Sequence, residues 1–537
     1  MVDVRDVVVI GAGAAGIYML HKLRGLGFDA VVLEAGEGVG GTWYWNRYPG
    51  ARCDIQSIEY SFSFDESIQQ DWDWSEMMAP QGEIERYLNF VVDRLELRDG
   101  IRLGTRVESM RFDEDTATWT VTTATGEEHA SRYVVAATGM LSVPLEPAID
   151  GRESFQGASL YTSRFPEEGF DFTQLRVAVI GTGSSGVQAV PQIAEQAAQL
   201  YVFQRSAAYT RPSPNRRLTP EERAELKARY ADIRRRERES FFGTIFFQIL
   251  PLPGAPPITR KILETPMEER LRVLDEQGWT APWSWVDIVD DMEANAAARE
   301  LYGILVRRKV HDPDTAESLI PHYPLGCKRL IVDDGYYEAF NRDNVTLVDL
   351  RKGGIKEIEA GGIATEQGFY ELDAIVYATG FDAMTGALTR IDVRGRGDRL
   401  LKDAWEDDGP ITYLGFQAEG FPNLFMIGGP GSPGPRSNVM GLIEYQVGWI
   451  ADTLDHLRTE GMRAIEPEPG AAARWADHAA SLLEGTVLVE PSCDSWYLGA
   501  NVPGKRRIYM PYIGGLRGYR EKCDSAAAQG YQGFSSW

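Results

Sequence analysis

Two short glycine-rich stretches, each preceded by an apolar run, constrain the fold of this chain more than any other feature. GAGAAG spans residues 11–16 after VVVI, and GTGSSG spans residues 181–186 after VAVI. Both read G-x-G-x-x-G, the pattern of a turn between a parallel strand and a helix that binds a pyrophosphate. The sequence therefore predicts an α/β fold with two Rossmann-like dinucleotide-binding domains.

In the first glycine turn (residues 11–16), each of the three glycines is required for a different physical reason. Gly11 permits the tight turn, Gly13 leaves room for a pyrophosphate, and Gly16 lets the helix pack closely on the strand. Glu34 follows the next strand, where a carboxylate accepts a pair of ribose hydroxyls and repels a 2′-phosphate. This fits the adenosine half of FAD or NAD. The alternative is a glycine turn that only packs a helix, and Glu34 in register weighs against it.

The second glycine turn (residues 181–186) is followed by a different strand end. Gly181, Gly183 and Gly186 keep the same frame, but Arg205 and Ser206 stand where the acid would be. A guanidinium and a hydroxyl suit a 2′-phosphate, so this half is predicted to bind NADPH. The alternative is a solvated arginine at a strand end. Two dinucleotides in one chain bring together a hydride donor and an electron acceptor, which indicates an oxidoreductase.

The charge and the cysteine content of the chain limit the kinds of molecule that it can bind. The net charge of −24 argues against nucleic acid and against an anionic membrane surface. The four cysteines are widely scattered, and they form neither a CxxC pair nor a metal-ligand cluster with the six histidines. They are Cys53, Cys327, Cys493 and Cys523. We therefore expect neither a metal nor a structural disulfide, and the disulfide-reductase class is excluded. With no secretion signal and no run of about twenty apolar residues, a cytoplasmic location is expected.

The pattern of apolar strands and charged helical segments in the rest of the sequence predicts how the chain is divided into domains. Apolar strands ending in Ala-Thr-Gly at 130–139 and 371–380 each resemble the closing strand of a dinucleotide domain in two-dinucleotide flavoproteins, and a buried strand within 421–434 is expected to return the chain to the first domain. Charged, helix-forming segments lie between, broken by a proline-rich stretch at 251–257, and their RRRER run at 234–238 is predicted to be a solvated helix face. The predicted division is an FAD-binding domain over 1–142 and 382–537, an NADPH-binding domain over 143–218 and 326–381, and a helical insert over 219–325.

Longer stretches resemble a known family. GGTWYWNRYPGARCD at 40–54 matches, at every defined position, the pattern [A/G]-G-x-W-x-x-x-x-[F/Y]-P-[G/M]-x-x-x-D of type I Baeyer–Villiger monooxygenases. YPLGCKRLIVDDGYYEAFNRDNV at 323–345, YATGFDAMTGAL at 377–388 and SWYLGANVPGKRR at 495–507 also resemble this family. The resemblance covers nearly the whole chain and implies the architecture of class B flavoprotein monooxygenases.

The resemblance implies FAD and NADPH as cofactors, with insertion of one oxygen atom of O2 beside a ketone carbonyl to give an ester or lactone. The expected partners are thus a small-molecule ketone and O2, and the chain is expected to be a monomer or a weak homo-oligomer. Two alternatives stay open: a related class B enzyme that performs N-hydroxylation or sulfoxidation, and a non-catalytic flavoprotein that acts as a redox sensor or binding module.

Roles carried over by motif position fall into three sets. Residues expected to bind FAD are Gly11, Gly13, Gly16, Glu34, Gly41, Thr42, Trp43, Asp54, Tyr60, Val107 and Val439. Residues expected to bind NADPH are Thr182, Gly183, Ser184, Ser185, Gly186, Gln188, Arg205, Ser206, Lys328, Arg329 and Trp496. The wall of the substrate pocket is expected to include Met140, Gly434, Pro435 and Arg436. Arg436 either recognises an acidic substrate or is simply solvated.

Arg329 is the central catalytic candidate. The resemblance implies that its permanent positive charge stabilises a flavin peroxide and then a tetrahedral adduct, and that Asp54 orients it through a carboxylate–guanidinium bond. One segment departs from the family, whose further pattern is F-x-G-x-x-x-H-x-x-x-W followed by Pro or Asp. In FQGASLYTSRFP at 155–166, Tyr161 and Phe165 replace the histidine and tryptophan. We expect an atypical interdomain linker in an enzyme that keeps its activity.

Overall fold

The structure is a computed structural model that describes residues 4–245 and 258–537, so the proline-rich stretch at 251–257 lies outside the described residues. The strands are β1 Arg5–Ile10, β2 Ala30–Leu33, β3 Ile101–Arg102, β4 Val107–Asp113, β5 Thr118–Thr123, β6 Glu128–Ala136, β7 Ala158–Tyr161, β8 Arg176–Ile180, β9 Gln199–Gln204, β10 Thr210–Pro212, β11 Ile331–Asp333, β12 Val345–Asp349, β13 Ile355–Glu359, β14 Gly362–Thr365, β15 Phe369–Glu371, β16 Ala374–Tyr377, β17 Asp392–Arg394, β18 Leu424–Met426, β19 Ile465–Pro467 and β20 Phe534–Ser536.

The helices connect these strands and cover the sheets. They are α1 Ala14–Gly25, α2 Thr42–Trp45, α3 Glu66–Asp71, α4 Gln81–Arg94, α5 Ser184–Ala194, α6 Pro220–Ala228, α7 Tyr230–Glu239, α8 Met267–Gln277, α9 Met292–Lys309, α10 Pro313–Leu319, α11 Tyr336–Ala339, α12 Gly386–Thr389, α13 Leu401–Asp408, α14 Val439–Thr459, α15 Ala471–Ser481 and α16 Gly515–Ala528. In the part of the chain that is described, no helix is both long and apolar enough to cross a bilayer.

The first sheet contains the first glycine turn. Its order is β17-β4-β5-β6-β1-β2-β3, and β18 pairs with β6. β1 runs parallel to β2 and to β6, and its residues 7–10 are buried, as a parallel sheet covered on both faces requires. β17 and β18 join this sheet from the far end of the sequence, as expected from the apolar strand within 421–434.

The second sheet, in the order β12-β9-β8-β16-β7, contains the second glycine turn between β8 and α5. The predicted α/β fold with two Rossmann-like units is therefore confirmed. The glycines meet the same demand in both units. Gly11 and Gly181 have φ angles of +103° and +110°, and a Cβ on Gly16 or Gly186 would overlap the carbonyl oxygen of Gly11 or Gly181.

The segment at 155–166 is more than the linker that the sequence predicts. β7 pairs in parallel with β16, with Leu160 opposite Val376 and Tyr161 opposite Tyr377. The rings of Tyr161 and Tyr377 stack with centroids 4.7 Å apart. The segment therefore forms an edge strand of the second sheet, because its short apolar run can pair with an available sheet edge.

The RRRER run lies in α7, and the predicted solvated face is wrong for one side of this helix. Arg234 and Glu237 are buried, and Arg234 Nη1 donates to both carboxylate oxygens of Glu237 at 3.0 and 3.2 Å. Arg234 Nη2 also donates to Ser61 Oγ at 2.8 Å. This side of α7 packs against the first domain, where Ile58 and Ile233 share one apolar cluster. Arg235 on the other side is exposed, as expected.

This burial generates a first prediction. Burial raises the pKa of Glu237 to about 8, and Arg234→Met removes its hydrogen-bond donor and leaves it near Glu59 and Glu444, so the protein should lose about 1–3 kcal/mol of stability. Arg235→Met is the matched control, because its ion pairs are exposed to solvent and should contribute little to stability. Thermal unfolding of the two variants measures the difference. Equal melting temperatures would show that the buried pair has no special weight.

Candidate functional site

An ion pair between Asp54 and Arg329 lies where three distant segments meet. Arg329 Nε donates to Asp54 Oδ2 at 2.8 Å, and Arg329 Nη2 donates to Asp54 Oδ1 at 2.7 Å. Arg329 Nη1 donates to the carbonyl oxygen of Pro435 at 2.9 Å. The expected carboxylate–guanidinium bond is thus present and bidentate, and a third bond fixes the plane of the guanidinium.

The surroundings keep this guanidinium charged. Burial alone lowers the pKa of Arg329, but the charge and the hydrogen bonds of Asp54 outweigh burial and raise the pKa above its ordinary value. Burial also raises the pKa values of Cys53 and Tyr60, so both neighbours are neutral near pH 7. The Arg329 side chain is still 27% exposed, which leaves part of it accessible to a bound molecule.

The loop that carries Asp54 is fixed on the first glycine turn. Gly40 N donates to the carbonyl oxygen of Ala12 at 3.0 Å, and a Cβ on Gly13 would lie 3.5 Å from Gly41 Cα. Further along, Trp43 Nε1 donates to the hydroxyl of Tyr60 at 3.1 Å. The structure therefore brings Gly41, Trp43 and Tyr60 to the same region as Asp54, with Thr42 exposed beside them.

The first glycine turn fits an adenine dinucleotide. Gly13 precedes α1 and no side chain caps that helix, so its first N–H groups are available to a pyrophosphate. Glu34 is 5% exposed and accepts from Ala12 N at 2.6 Å and Gly36 N at 2.7 Å, which holds the carboxylate beside the turn with lone pairs to spare. Val107 is buried at the start of β4, and Val439 begins α14.

The second glycine turn is similarly open. A Cβ on Gly183 would meet no atom within 4 Å, and no side chain caps α5, which begins with Ser184, Ser185 and Gly186. Thr182 Oγ1 donates to the carbonyl oxygen of Ser206 at 2.7 Å, which ties the turn to the end of β9. These features leave room for a second pyrophosphate.

Gln188 lies at the junction of the two units. Its side-chain oxygen accepts from the Tyr48 hydroxyl at 2.7 Å, and its Nε2 donates to the carbonyl oxygen of Arg52 at 3.1 Å. Both partners belong to the loop at 40–54. The side chain of Gln188 therefore connects α5 to the loop that carries Asp54.

Two cations converge near the end of β9. Arg205 and Ser206 are exposed there, and Lys328 Nζ lies 4.3 Å from the ring centroid of Tyr323. Burial lowers the pKa of Lys328, Asp494 opposes this shift, and the positive charge of Arg205 lowers the pKa further, so the two cations lie near each other. Among the described residues neither forms an ion pair within 4.0 Å, which suits a phosphate.

Two residues of the predicted pocket wall, Met140 and Gly434, lie beside methionines to which the sequence alone assigns no role. A Cβ on Gly434 would lie 3.3 Å from Met140 Sδ and 3.5 Å from Met384 Cε. Met384 and Met510 belong to one apolar cluster, against which Met140 and Trp496 pack. Met384 lies in the family-like stretch at 377–388 but has no role assigned there, and Met510 lies outside the family-like stretches. Only the tertiary fold brings the two side chains together.

A disulfide contradicts the expectation drawn from the cysteine spacing. Cys327 and Cys493 are bonded, with Cα atoms 6.0 Å apart at a sequence separation of 166. Spacing along the chain does not show which cysteines the fold brings within bonding distance. The bond ties the residue before Lys328 to the segment that carries Trp496. Cys53 and Cys523 are free and buried.

The similarity of this chain to known proteins extends well beyond the two glycine turns. A family model described as "Pyridine nucleotide-disulphide oxidoreductase" matches residues 8–240. Acetone monooxygenase (methyl acetate-forming) of Gordonia sp. strain TY-5 is 38% identical over 537 residues, covering 99% of this chain and 98% of the relative. Phenazine N-monooxygenase PhzNO1 of Lysobacter antibioticus is 39% identical over 538 residues, covering 98% of this chain and 96% of the relative.

A solved structure agrees over the full length. The crystal structure of the OTEMO complex with FAD and NADP (form 4) is 37% identical and covers 100% of both chains, with a TM-score of 0.92. That complex holds both of the dinucleotides that the two glycine turns predict here. The likeness therefore includes the helical segments and the C-terminal segments as well as the two sheets.

The pair of cations generates a second prediction. Arg205→Met and Lys328→Met should each raise the KM for NADPH by roughly 10- to 100-fold, because each removes a charge-assisted contact to a 2′-phosphate. The KM for NADH, which lacks that phosphate, serves as the internal control and should hardly change. Steady-state kinetics with both cofactors measure the effect. Equal losses with NADPH and NADH would contradict the assignment.

The disulfide generates a third prediction. Titration of thiols in denaturant should find two before reduction, from Cys53 and Cys523, and four afterwards. Peptide mapping without reductant should recover the Cys327 and Cys493 peptides as one linked species. Four reactive thiols in the unreduced protein would contradict the bond.

Proposed function

Because the chain belongs to the type I Baeyer–Villiger monooxygenase family, we propose that it inserts one oxygen atom of O2 beside the carbonyl of a small-molecule ketone, with Arg329 as the central catalytic group. The product is an ester or a lactone, and NADPH is consumed. The observation that carries the proposal is the bidentate pair of Arg329 with Asp54, fixed further by Pro435. FAD, when bound, accepts hydride from NADPH and supplies the activation of dioxygen.

The hydrogen bonds of Arg329 support this role. A guanidinium has five N–H donors, and three are engaged by Asp54 and Pro435. Two donors remain, one on each terminal nitrogen, for an oxygen that gains negative charge as the ketone is attacked. Donors fixed beforehand stabilise such charge without reorganising during the reaction. Because the pKa of Arg329 is raised, the group acts as a cation and moves no proton.

Other residues bind and position the reactants in this proposal. The first glycine turn and Glu34 hold FAD, and the second glycine turn with Arg205 and Lys328 holds NADPH. Gln188 and the disulfide keep the two halves in register around the ion pair. Trp496, on the segment that the disulfide ties to Lys328, covers the NADPH side, and the wall of Met140, Gly434, Pro435 and Arg436 receives the ketone.

The proposal also includes the cellular location, the oligomeric state and the domain division of the enzyme. We place it in the cytoplasm, which supplies NADPH, although the disulfide weighs the other way because the cytosol keeps thiols reduced. The net charge of −24 makes copies repel one another and supports a monomer or weak homo-oligomer. The domain division remains as predicted and is supported by the membership of the two sheets.

One alternative has a specific observation in its favour. The relative from Lysobacter antibioticus is named for oxidation at a nitrogen, and it is 39% identical to this chain. Attack by an amine needs an electrophilic oxygen, however, and gains nothing from a cation that stabilises an ionised one. The fixed guanidinium of Arg329 therefore favours ketone oxidation over N-oxidation.

Substitution of Arg329 tests the proposal. Arg329→Met should lower ester formation by roughly 100- to 1,000-fold or more, while NADPH oxidation continues and releases hydrogen peroxide. Asp54→Asn should give a smaller loss, because a neutral amide cannot pair with both nitrogens. Arg517→Met is the control, since its pair with Glu521 is exposed on α16. Gas chromatography of products from cyclic, linear and aryl ketones, alongside cofactor consumption, measures each.

Unchanged ester formation in the Arg329 variant would contradict the catalytic role. N-oxides from amines, with no ester or lactone from any ketone, would establish the alternative instead.

A further inference from the structure

Arg436 is a partly buried cation beside the ion pair. It ends the short turn Gly434–Arg436, and the residue before it, Pro435, is the one that Arg329 contacts. Its guanidinium carbon lies 5.8 Å from the ring centroid of Tyr497, and Nη1 lies 3.5 Å from the carbonyl oxygen of Gly326. Among residues 4–245 and 258–537 it forms no ion pair with a carboxylate within 4.0 Å.

Two other arginines of this chain with little exposure are paired with carboxylates, whereas Arg299 and Arg520 are also partly buried and form no ion pair among the described residues. Arg47, at 15% side-chain exposure, pairs with Glu85 and Glu167, and Arg52, at 21%, pairs with Glu76 and Asp334. The chain has 79 acidic and 55 basic residues, so acidic partners are plentiful. A cation held beside the pocket without one has its charge available to a ligand.

A polar group without a hydrogen-bond partner lies near Arg436. The hydroxyl of Tyr509 is buried and has no hydrogen-bond partner among the described residues. The rings of Tyr497 and Tyr509 lie 5.9 Å apart, and the two groups are close enough for the charge of Arg436 to influence the Tyr509 hydroxyl. Burial raises the pKa of Tyr509 to about 12, so the hydroxyl keeps its proton and can donate it to an anion.

We infer that Arg436 and Tyr509 form a subsite for a carboxylate carried by the ketone, so that the preferred substrates are keto acids. This inference rests on the proposed function, since the ketone oxygen would lie at Arg329 while the carboxylate lies at Arg436. One guanidinium and one hydroxyl match the two oxygens of a carboxylate. The apolar wall of Met140, Met384 and Met510 suits the hydrocarbon part between the two polar ends.

A matched pair of substrates tests the subsite in the FAD-loaded protein. The pair is 4-oxocyclohexanecarboxylate and its methyl ester, which differ in charge and have the same ring ketone. The wild type should prefer the acid. Arg436→Leu should raise the KM for the acid roughly 10- to 100-fold more than it raises the KM for the ester, because only the acid loses a charge-assisted contact. Tyr509→Phe should give a smaller loss in the same direction, and Arg517→Leu, on an exposed face, should give none.

Binding without turnover gives an independent readout. Calorimetric titration of the oxidised, FAD-loaded protein with cyclohexanecarboxylate, which has no ketone, should show binding to the wild type and weak or no binding to the Arg436→Leu variant. The KM for NADPH should be the same in both proteins. A rise in that constant would assign Arg436 to the cofactor and overturn the subsite.

Equal use of acid and ester by the wild type, or equal losses for both in the Arg436 variant, would also overturn the subsite. Failure of the proposed function looks different, because then neither the acid nor the ester gives a lactone. Lactone from the ester, without a loss specific to the acid, contradicts the subsite alone.

Discussion

The ion pair of Asp54 and Arg329 is the interaction on which the arrangement of this molecule depends. A lone guanidinium among buried groups would be costly to desolvate, and a bidentate carboxylate makes its charge tolerable there. Asp54 is held by a loop fixed on the first glycine turn, and Arg329 lies just before β11. The position of the cation therefore depends on both halves of the chain, and displacement of either half would move it.

Positive charge is placed selectively in a chain whose net charge is −24. Arg205 and Lys328 lie near each other at the end of β9, Arg329 is the cation to which the proposed function gives the catalytic role, and Arg436 lies one residue beyond the carbonyl that Arg329 contacts. The disulfide and the side chain of Gln188 hold the segments that carry these groups against one another. The acidic remainder of the surface disfavours polyanionic partners, which is consistent with the proposal that these cations bind small anions.

The sequence alone predicts those features of the fold and the site whose physical cause lies within a short stretch of the chain. Glycine spacing and β-branched runs determine the two turns, and a carboxylate such as Glu34 has one place to lie after a short strand. The sequence alone does not predict features that arise from contacts between distant segments of the folded chain. The bond of Cys327 to Cys493, the burial of Arg234 with Glu237 and the pairing of β7 with β16 all depend on which surfaces meet after folding. The meeting of Asp54 with Arg329 was anticipated only through matched motifs.

The most direct test of the account is a crystal structure of the chain with FAD and NADP+ bound. The account predicts that Arg329 keeps both hydrogen bonds to Asp54 and that its two remaining donors face the flavin ring. A guanidinium turned away from the ring, or an Asp54 carboxylate paired elsewhere, would contradict it.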